Sequence, residues 1–273
     1  MRQLRTAHFC KIYSLNIHID SDVRACYLDF LIPKILIYLE AMMVDITYSD
    51  EFKYTTKNPY SDKLDEFKDF VYRDHEAEVM KGKWNAEAFK REAPLYLEIG
   101  TGFGHFMMEF SEKNPDVNFV GLDYRFKRSF SLARKLADHP TKNFKYLRGK
   151  GERIHFLFEE NELDKIFYFF PDPWPKTRHQ KKRLFQEPFL NQAYKVLKPG
   201  GRILIKTDHD GYADFMKEVM AENEQFDVVM STDNLREEKP EHFLASFTTK
   251  FENIFLKKGI KIKAFELVSK KKD

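Results

Sequence analysis

The sequence predicts an α/β fold built on a doubly wound, mostly parallel sheet with an antiparallel final strand. Short apolar runs alternate with amphipathic stretches from about residue 95 onward, the rhythm of strand, turn and helix. The run Lys165 to Phe170 is apolar beyond its first residue, as expected of a strand with both faces covered. The last two apolar runs lack a full helix between them, which makes antiparallel placement of the final one the natural reading.

In chain order, a helical pattern is expected from about residue 62, where Leu64, Phe67, Phe70 and Val71 recur at three- and four-residue spacing. A strand from Leu95 to Ile99 runs into a glycine-rich turn, followed by a helix from His105 to Lys113. Asn118 to Asp123 reads as a strand, and Tyr124 to Ala137 as a basic amphipathic helix. Strands are expected over Phe144 to Leu147 and Lys165 to Phe170, and a helix over Phe185 to Leu197. Lys198-Pro199-Gly200-Gly201 stops that helix, and Arg202 to Thr207 forms the next strand. A helix to about Asn223 and strands at Phe226 to Met230 and Ile260 to Val268 complete the set.

The chain has 273 residues, with 46 Lys and Arg against 43 Asp and Glu, a net charge of +3. At roughly 150 residues per domain this length allows one or two domains. The mild excess implies local basic patches rather than a uniformly basic surface. The two cysteines, Cys10 and Cys26, show no metal-binding or redox spacing, which fits a reducing, cytoplasmic setting. Residues 28–44 are the most apolar run, but Asp29, Pro33, Lys34 and Glu40 interrupt it, so no membrane span of roughly 20 residues fits there. Residues 1–45 are read as an extension, either loosely ordered or the product of a start codon assigned too early. Residues 46–273 are read as one domain.

Two segments carry chemistry. Glu98-Ile99-Gly100-Thr101-Gly102-Phe103-Gly104 follows a strand and opens a helix. Glycines at such a turn let the backbone reverse and a ligand lie against it. A dinucleotide fingerprint needs glycine or alanine at position 105, where the chain has His105, so a nicotinamide dehydrogenase is disfavoured. An acid at Glu98 suits a cationic ligand, and Asp123, ending the next strand, is placed to accept hydrogen bonds from ribose hydroxyls. The bland alternative is a set of ordinary turn glycines and a strand-end acid. The spacing resembles the first motif of Rossmann-like class I methyltransferases, whose cofactor, S-adenosylmethionine, carries a sulfonium and an ammonium. By that resemblance Glu98, Gly100, Gly102 and Asp123 contact the cofactor.

The second segment, Phe169-Phe170-Pro171-Asp172-Pro173-Trp174-Pro175-Lys176-Thr177-Arg178-His179-Gln180-Lys181-Lys182-Arg183, leaves the C-terminal end of a buried strand, where open α/β sheets bind ligands. Three prolines stiffen it, Trp174 offers a ring for base stacking, and Lys176, Arg178, Lys181, Lys182 and Arg183 form a cationic patch suited to phosphates. The composition alone points to nucleic acid or another polyanion. The alternative is a solvated charge run beside a core tryptophan.

This loop resembles the hallmark of the tRNA (guanine-N7-)-methyltransferase family of the bacterial single-subunit type, departing from it at Lys182. Lys206-Thr207-Asp208 and Thr249-Lys250-Phe251-Glu252 resemble two further motifs of the family, and the likeness runs from about residue 50 to 268. It implies methyl transfer from S-adenosylmethionine to guanine N7 in the tRNA variable loop, with Asp172 as the catalytic carboxylate. The substrate site would comprise Asp172, Trp174, Lys176, Arg178, Asp208, Thr249, Lys250, Phe251 and Glu252. Asp172, Asp208 and Glu252 could instead cap helices or pair with lysines. Where the family commonly has an Asn or Asp at the adenine edge this chain reads Arg148-Gly149-Lys150-Gly151-Glu152, which makes Glu152 a candidate for that contact, and Asp123 stands where a glutamate is more usual. Histidine-based proton transfer and metal chemistry are not expected, since His105, His155, His179, His209 and His242 lack ligand spacing. The implied partner is tRNA, with no membrane or metal, and the protein acts as a monomer or homodimer. Two other readings stay open: methylation of an exocyclic base amine, for which Asp172-Pro173-Trp174 is a partial match, and RNA binding without turnover.

Overall fold

The computed structural model describes residues 58–272; the expectation for residues 1–45 lies outside the described residues. The strands are β1 (Val71–Arg73), β2 (Leu95–Ile99), β3 (Asn118–Asp123), β4 (Phe144–Arg148), β5 (Leu163–Phe169), β6 (Leu197–Thr207), β7 (Phe226–Thr232) and β8 (Lys263–Ser269). They form one sheet in the order β1-β4-β3-β2-β5-β6-β8-β7. Every neighbouring pair from β1 to β6 is parallel, and β8 alone runs against its neighbours β6 and β7. The predicted antiparallel final strand is therefore present, inserted between β6 and β7. Among the described residues five helices have seven residues or more: α1 (His105–Lys113), α2 (Phe126–Ala137), α3 (Glu187–Val196), α4 (Asp210–Glu222) and α5 (Lys250–Leu256).

Alternation along the strands divides the core in two. Leu97, Ile99, Val120, Leu122, Ile166, Tyr168, Ile203 and Ile205 face one side, with Trp84 and the apolar stripe of α3. Phe119, Phe144, Tyr146, Phe167, Phe169 and Leu204 face the other, with Phe106 and Phe110 of α1. A period of two places successive side chains on opposite faces, and here both faces are dry. The second layer is a run of aromatic contacts, with Phe106 at 5.2 Å from Phe167, 5.0 Å from Phe169 and 4.8 Å from Phe247 between ring centroids.

Three expectations need correction. Val71 belongs to β1 and pairs with Tyr146, while Leu64–Phe67 forms only a 3-10 turn. Burial of a β-branched residue against the sheet edge outweighs the local helical spacing. β6 starts at Leu197, not Arg202, because Leu197 already pairs with Leu163 and an irregularity absorbs Pro199-Gly200-Gly201 before Arg202 pairs with Lys165. Between β7 and β8 lie a turn at Leu235–Glu238 and the seven-residue α5, more helix than expected.

Candidate active site

The C-terminal ends of β2, β3, β4 and β5 lie side by side, so the segments leaving them share one rim. Register places Ile99 beside Leu122 and Tyr168, and Asp123 beside Arg148. The turn after β2 is held by two hydrogen bonds, from the Gly100 and Thr101 amides to the Leu122 carbonyl at 2.8 and 3.0 Å. Gly100, Gly102 and Gly104 take φ of 83°, 59° and 71°, the left-handed region that side chains resist. Gly104 is doubly constrained, because a Cβ there would sit 2.3 Å from a Leu132 methyl of α2. Gly100 is different. A Cβ on it would meet no heavy atom within 4 Å, so the turn borders open space there.

Glu98 lies beneath that turn, 5% exposed, and its carboxylate accepts from the Thr101 hydroxyl at 2.8 Å. Burial pushes its carboxyl up to about 8; the Thr101 bond opposes this, and nearby Asp123 adds to it. Asp123 is also buried, but its oxygens accept from the Gly102 and Arg125 amides, each at 2.9 Å, and Arg128 approaches to 3.8 Å. Gly121 makes room for this arrangement, since a Cβ there would meet the Thr101 hydroxyl at 2.7 Å and the Met107 sulfur at 2.3 Å.

Two observations bring the other segments to the same place. Gly151, in the short turn after β4, is wedged so that a Cβ would lie 2.7 Å from Leu184 and 3.0 Å from Ile99. It thus joins the end of β2 to the end of the proline-rich loop, with Glu152 next in sequence. The Tyr168 hydroxyl on β5 is raised well above its ordinary value by burial first, then by Tyr212, with the Glu152 and Asp172 carboxylates adding to the effect. Both carboxylates are thus within electrostatic reach of the Tyr168 hydroxyl.

The loop after β5 reverses through Phe170 and Trp174, at φ of 49° and 44°. Left-handed backbone at bulky residues costs on the order of 1–3 kcal/mol each and persists only where the surroundings impose it. Between these two points Pro171-Asp172-Pro173 is presented outward, with Asp172 exposed. Trp174 is half-buried, edge-on to His179 at 5.9 Å, with the Lys182 ammonium 4.7 Å from its ring centre. Lys176, Arg178, Lys181 and Lys182 are exposed as expected. Arg183 is not part of that patch. It is 3% exposed, donates to the Pro173 carbonyl at 2.9 Å and lies over the Tyr212 and Phe215 rings, so it braces the loop from within.

A family model described as "Putative methyltransferase" matches residues 92–265. A tRNA (guanine-N(7)-)-methyltransferase of an Exiguobacterium species is 32% identical over 215 residues, covering 79% of this chain and 97% of that protein. The chain belongs to the tRNA (guanine-N7-)-methyltransferase family. Another member, from Lactobacillus acidophilus, is 36% identical over 63% of this chain and 78% of its own length. The chain also matches a bifunctional glycosyltransferase/methyltransferase of Fusobacterium nucleatum at 34% identity, over 74% of this chain but only 31% of that protein. The fold is shared with the 16S rRNA methyltransferase KamB, at a TM-score of 0.51 and 17% identity over 67% of this chain and 92% of that one. Family and fold together imply a methyl donor of the S-adenosylmethionine type.

The remaining family motifs divide into outward and inward residues. Asp208 is half-buried directly after β6, and its carbonyl accepts from Lys263 at 3.3 Å. Lys250 and Phe251 are exposed on α5. The Thr249 hydroxyl caps α5 by accepting from the Glu252 amide at 3.1 Å. Glu252 is fully buried, 2.8 Å from the equally buried Lys206, and is also paired with Arg236. Its carboxylate is therefore engaged inside the fold, as the helix-capping and lysine-pairing alternative expected, and it positions α5. Burial draws the Lys206 ammonium down to about 8 despite Glu252. Arg236 completes the clamp with the Ala245 and Phe247 carbonyls at 2.6 and 2.8 Å.

Sequence reasoning missed Thr101 and Arg236, and it placed Arg183 in the exposed cationic patch instead of beneath the loop. Thr101 was legible as the one polar side chain inside the glycine turn. Arg183 and Arg236 carried no local signal, because their partners are 10 or more residues away or backbone carbonyls. Among the described residues no group of three or more His, Cys, Asp or Glu side chains could hold a metal, and no helix is long and apolar enough to cross a membrane.

Proposed function

We propose that this protein transfers the methyl group of S-adenosylmethionine to N7 of a guanosine in tRNA. The observation that carries the reading is the meeting, at one sheet rim, of a dehydrated acid under an open glycine turn with a stiff loop presenting Asp172. The residues fit the donor. Open space borders Gly100, and Glu98, pushed up to about 8, regains its charge beside a cationic ligand. Asp123 uses two of the roughly four lone-pair directions of a carboxylate on Gly102 and Arg125, leaving others for ribose hydroxyls.

When bound, the donor supplies a methyl carbon on positively charged sulfur. Guanine N7 would attack that carbon with an in-plane lone pair as the carbon–sulfur bond breaks and the sulfur leaves as a neutral thioether; N7 carries no proton to lose, so the chain need supply no general base. The chain must hold the two reactants in line, an effect worth roughly 7–11 kcal/mol when the fit is good. Positive charge moves onto the purine as the bond forms, and a carboxylate beside the ring, the role given to exposed Asp172, stabilises that charge. The same carboxylate can accept from guanine N1–H and N2–H, which adenine lacks, and so select the base. Trp174, Lys176 and Arg178 hold the RNA around it, with Asp208, Thr249, Lys250 and Phe251 lining the far side. By resemblance the guanosine is in the variable loop. Incubation with bulk tRNA and methyl-labelled cofactor, followed by nucleoside analysis, tests the reading. Label in 7-methylguanosine is expected; label in N6-methyladenosine, or none, refutes it.

A further inference from the structure

The loop after β5 lies on one side of β2, and a second cationic surface lies on the other side, on the helix that follows β3. Helix α2 carries Lys127, Arg128, Arg134 and Lys135 and no acid anywhere between Phe126 and Ala137. Arg128 leans towards Asp123, but among the described residues Lys127, Arg134 and Lys135 form no ion pair. All three are exposed. They line an open groove of about 480 Å³ with Tyr60, Phe130 and Ser131, in which Asp138 is the one acid. Tyr60 and Phe130 pack at 5.7 Å to form an aromatic wall, and Lys63 adds its ammonium at 5.5 and 5.6 Å from the two rings.

This surface is continuous with the cofactor turn. Phe103, 43% exposed within the turn, lies under Arg128 at 5.8 Å and Lys135 at 5.7 Å. The Lys135 charge also reaches His105, the first residue of α1, where burial, Lys135 and Lys250 together lower the imidazole. Cations that outnumber the acids on one face repel one another in the free protein and are offset when a polyanion lies across them.

We propose that this face of α2 binds the phosphodiester backbone of the RNA substrate. One RNA would then run from the Lys176–Lys182 loop, over the cofactor turn, to the groove beside Tyr60. The inference rests on the functional reading above for the identity of its polyanion. Lys127, Arg134 and Lys135 supply the charge, the aromatic wall shapes the groove, and the Ser131 hydroxyl offers a donor to a phosphate oxygen.

The test compares the full-length wild type with the triple variant Lys127→Gln, Arg134→Gln, Lys135→Gln, in tRNA binding across a salt series. Unchanged thermal midpoint and calorimetric cofactor affinity establish that the variant is intact. With three phosphates no longer neutralised, the log–log salt slope should fall by about 2 to 3, and KM for tRNA should rise while kcat at saturating tRNA is kept. Should the triple variant not fold, Arg134→Gln alone should lower the slope by about 1. A slope and KM equal to those of the wild type overturn the inference. The two readings fail separately. A wild type that methylates guanosine N7 with no change of slope in the variant loses only the α2 surface. A slope that falls in a protein transferring no methyl to N7 loses only the proposed activity.

Discussion

The two halves of the site are built by opposite means. The turn after β2 is cross-linked to β3 by backbone hydrogen bonds and holds its acid beneath it in a dry setting where charge is disfavoured. The loop after β5 is exposed and cationic, and its geometry comes from prolines, two left-handed residues and one buried arginine. The contrast matches what each must grip. A small cationic donor is best held in a preformed, low-dielectric pocket where one carboxylate counts for much. A polyanion is too large to enclose and is held by many exposed charges whose effect is long-ranged and salt-dependent. In the proposed reaction only Asp172 among the loop's charged residues acts on the base itself.

Substitutions that exchange these logics should have unequal effects. The largest is expected at Gly100→Val, which places a branched side chain in the open space and at φ 83°. Calorimetry should show cofactor affinity reduced by about a hundredfold or more, with tRNA affinity nearly kept. The next concerns protonation. With Glu98 near 8 in the free protein, a proton must leave before a cation is bound, so affinity should rise by up to about tenfold per pH unit from roughly pH 6 to 8 and then level off. Glu98→Gln should bind weakly and with a flat profile; a flat wild-type profile would mean the acid is already ionised. The same shift has a sign for folding. The native state holds this proton more tightly than the unfolded chain, so Glu98 lowers the stability of the cofactor-free protein as pH rises from about 4.5 to about 8. Smaller again is the difference within the loop. Arg183→Ala should cost about 1–3 kcal/mol in urea denaturation by stranding the Pro173 carbonyl, whereas exposed Lys181→Ala should stay within about 0.5 kcal/mol. Equal effects would show that burial of Arg183 has no structural role.

What could be read from the sequence follows the same division. α1 and β3 occur where local rules put them, because left-handed glycines end β2 just before α1 and Asp123 closes a continuously buried run. The glycine turn was legible for the same reason, since glycine spacing is a local signal and Gly100, Gly102 and Gly104 all take positive φ. Val71, the start of β6 and the inward turn of Arg183 were not, because each is decided by a partner distant in sequence or across the sheet: Tyr146, Leu163, and the Tyr212 and Phe215 rings. Glu252 is the instructive case. Its motif placed it by resemblance in the substrate site, with lysine pairing as the alternative, and Lys206 and Arg236 close on it from two other elements.

The central claim is that turn and loop form one site in which Asp172 acts on the reacting base. A single-turnover chase tests it most directly: methyl-labelled S-adenosylmethionine is bound first, and excess tRNA with unlabelled cofactor is then added. The wild type should deliver label to guanine N7, while Asp172→Ala should retain cofactor affinity within a few fold and deliver label about 10²–10³ times more slowly. Equal delivery by both proteins would contradict the account.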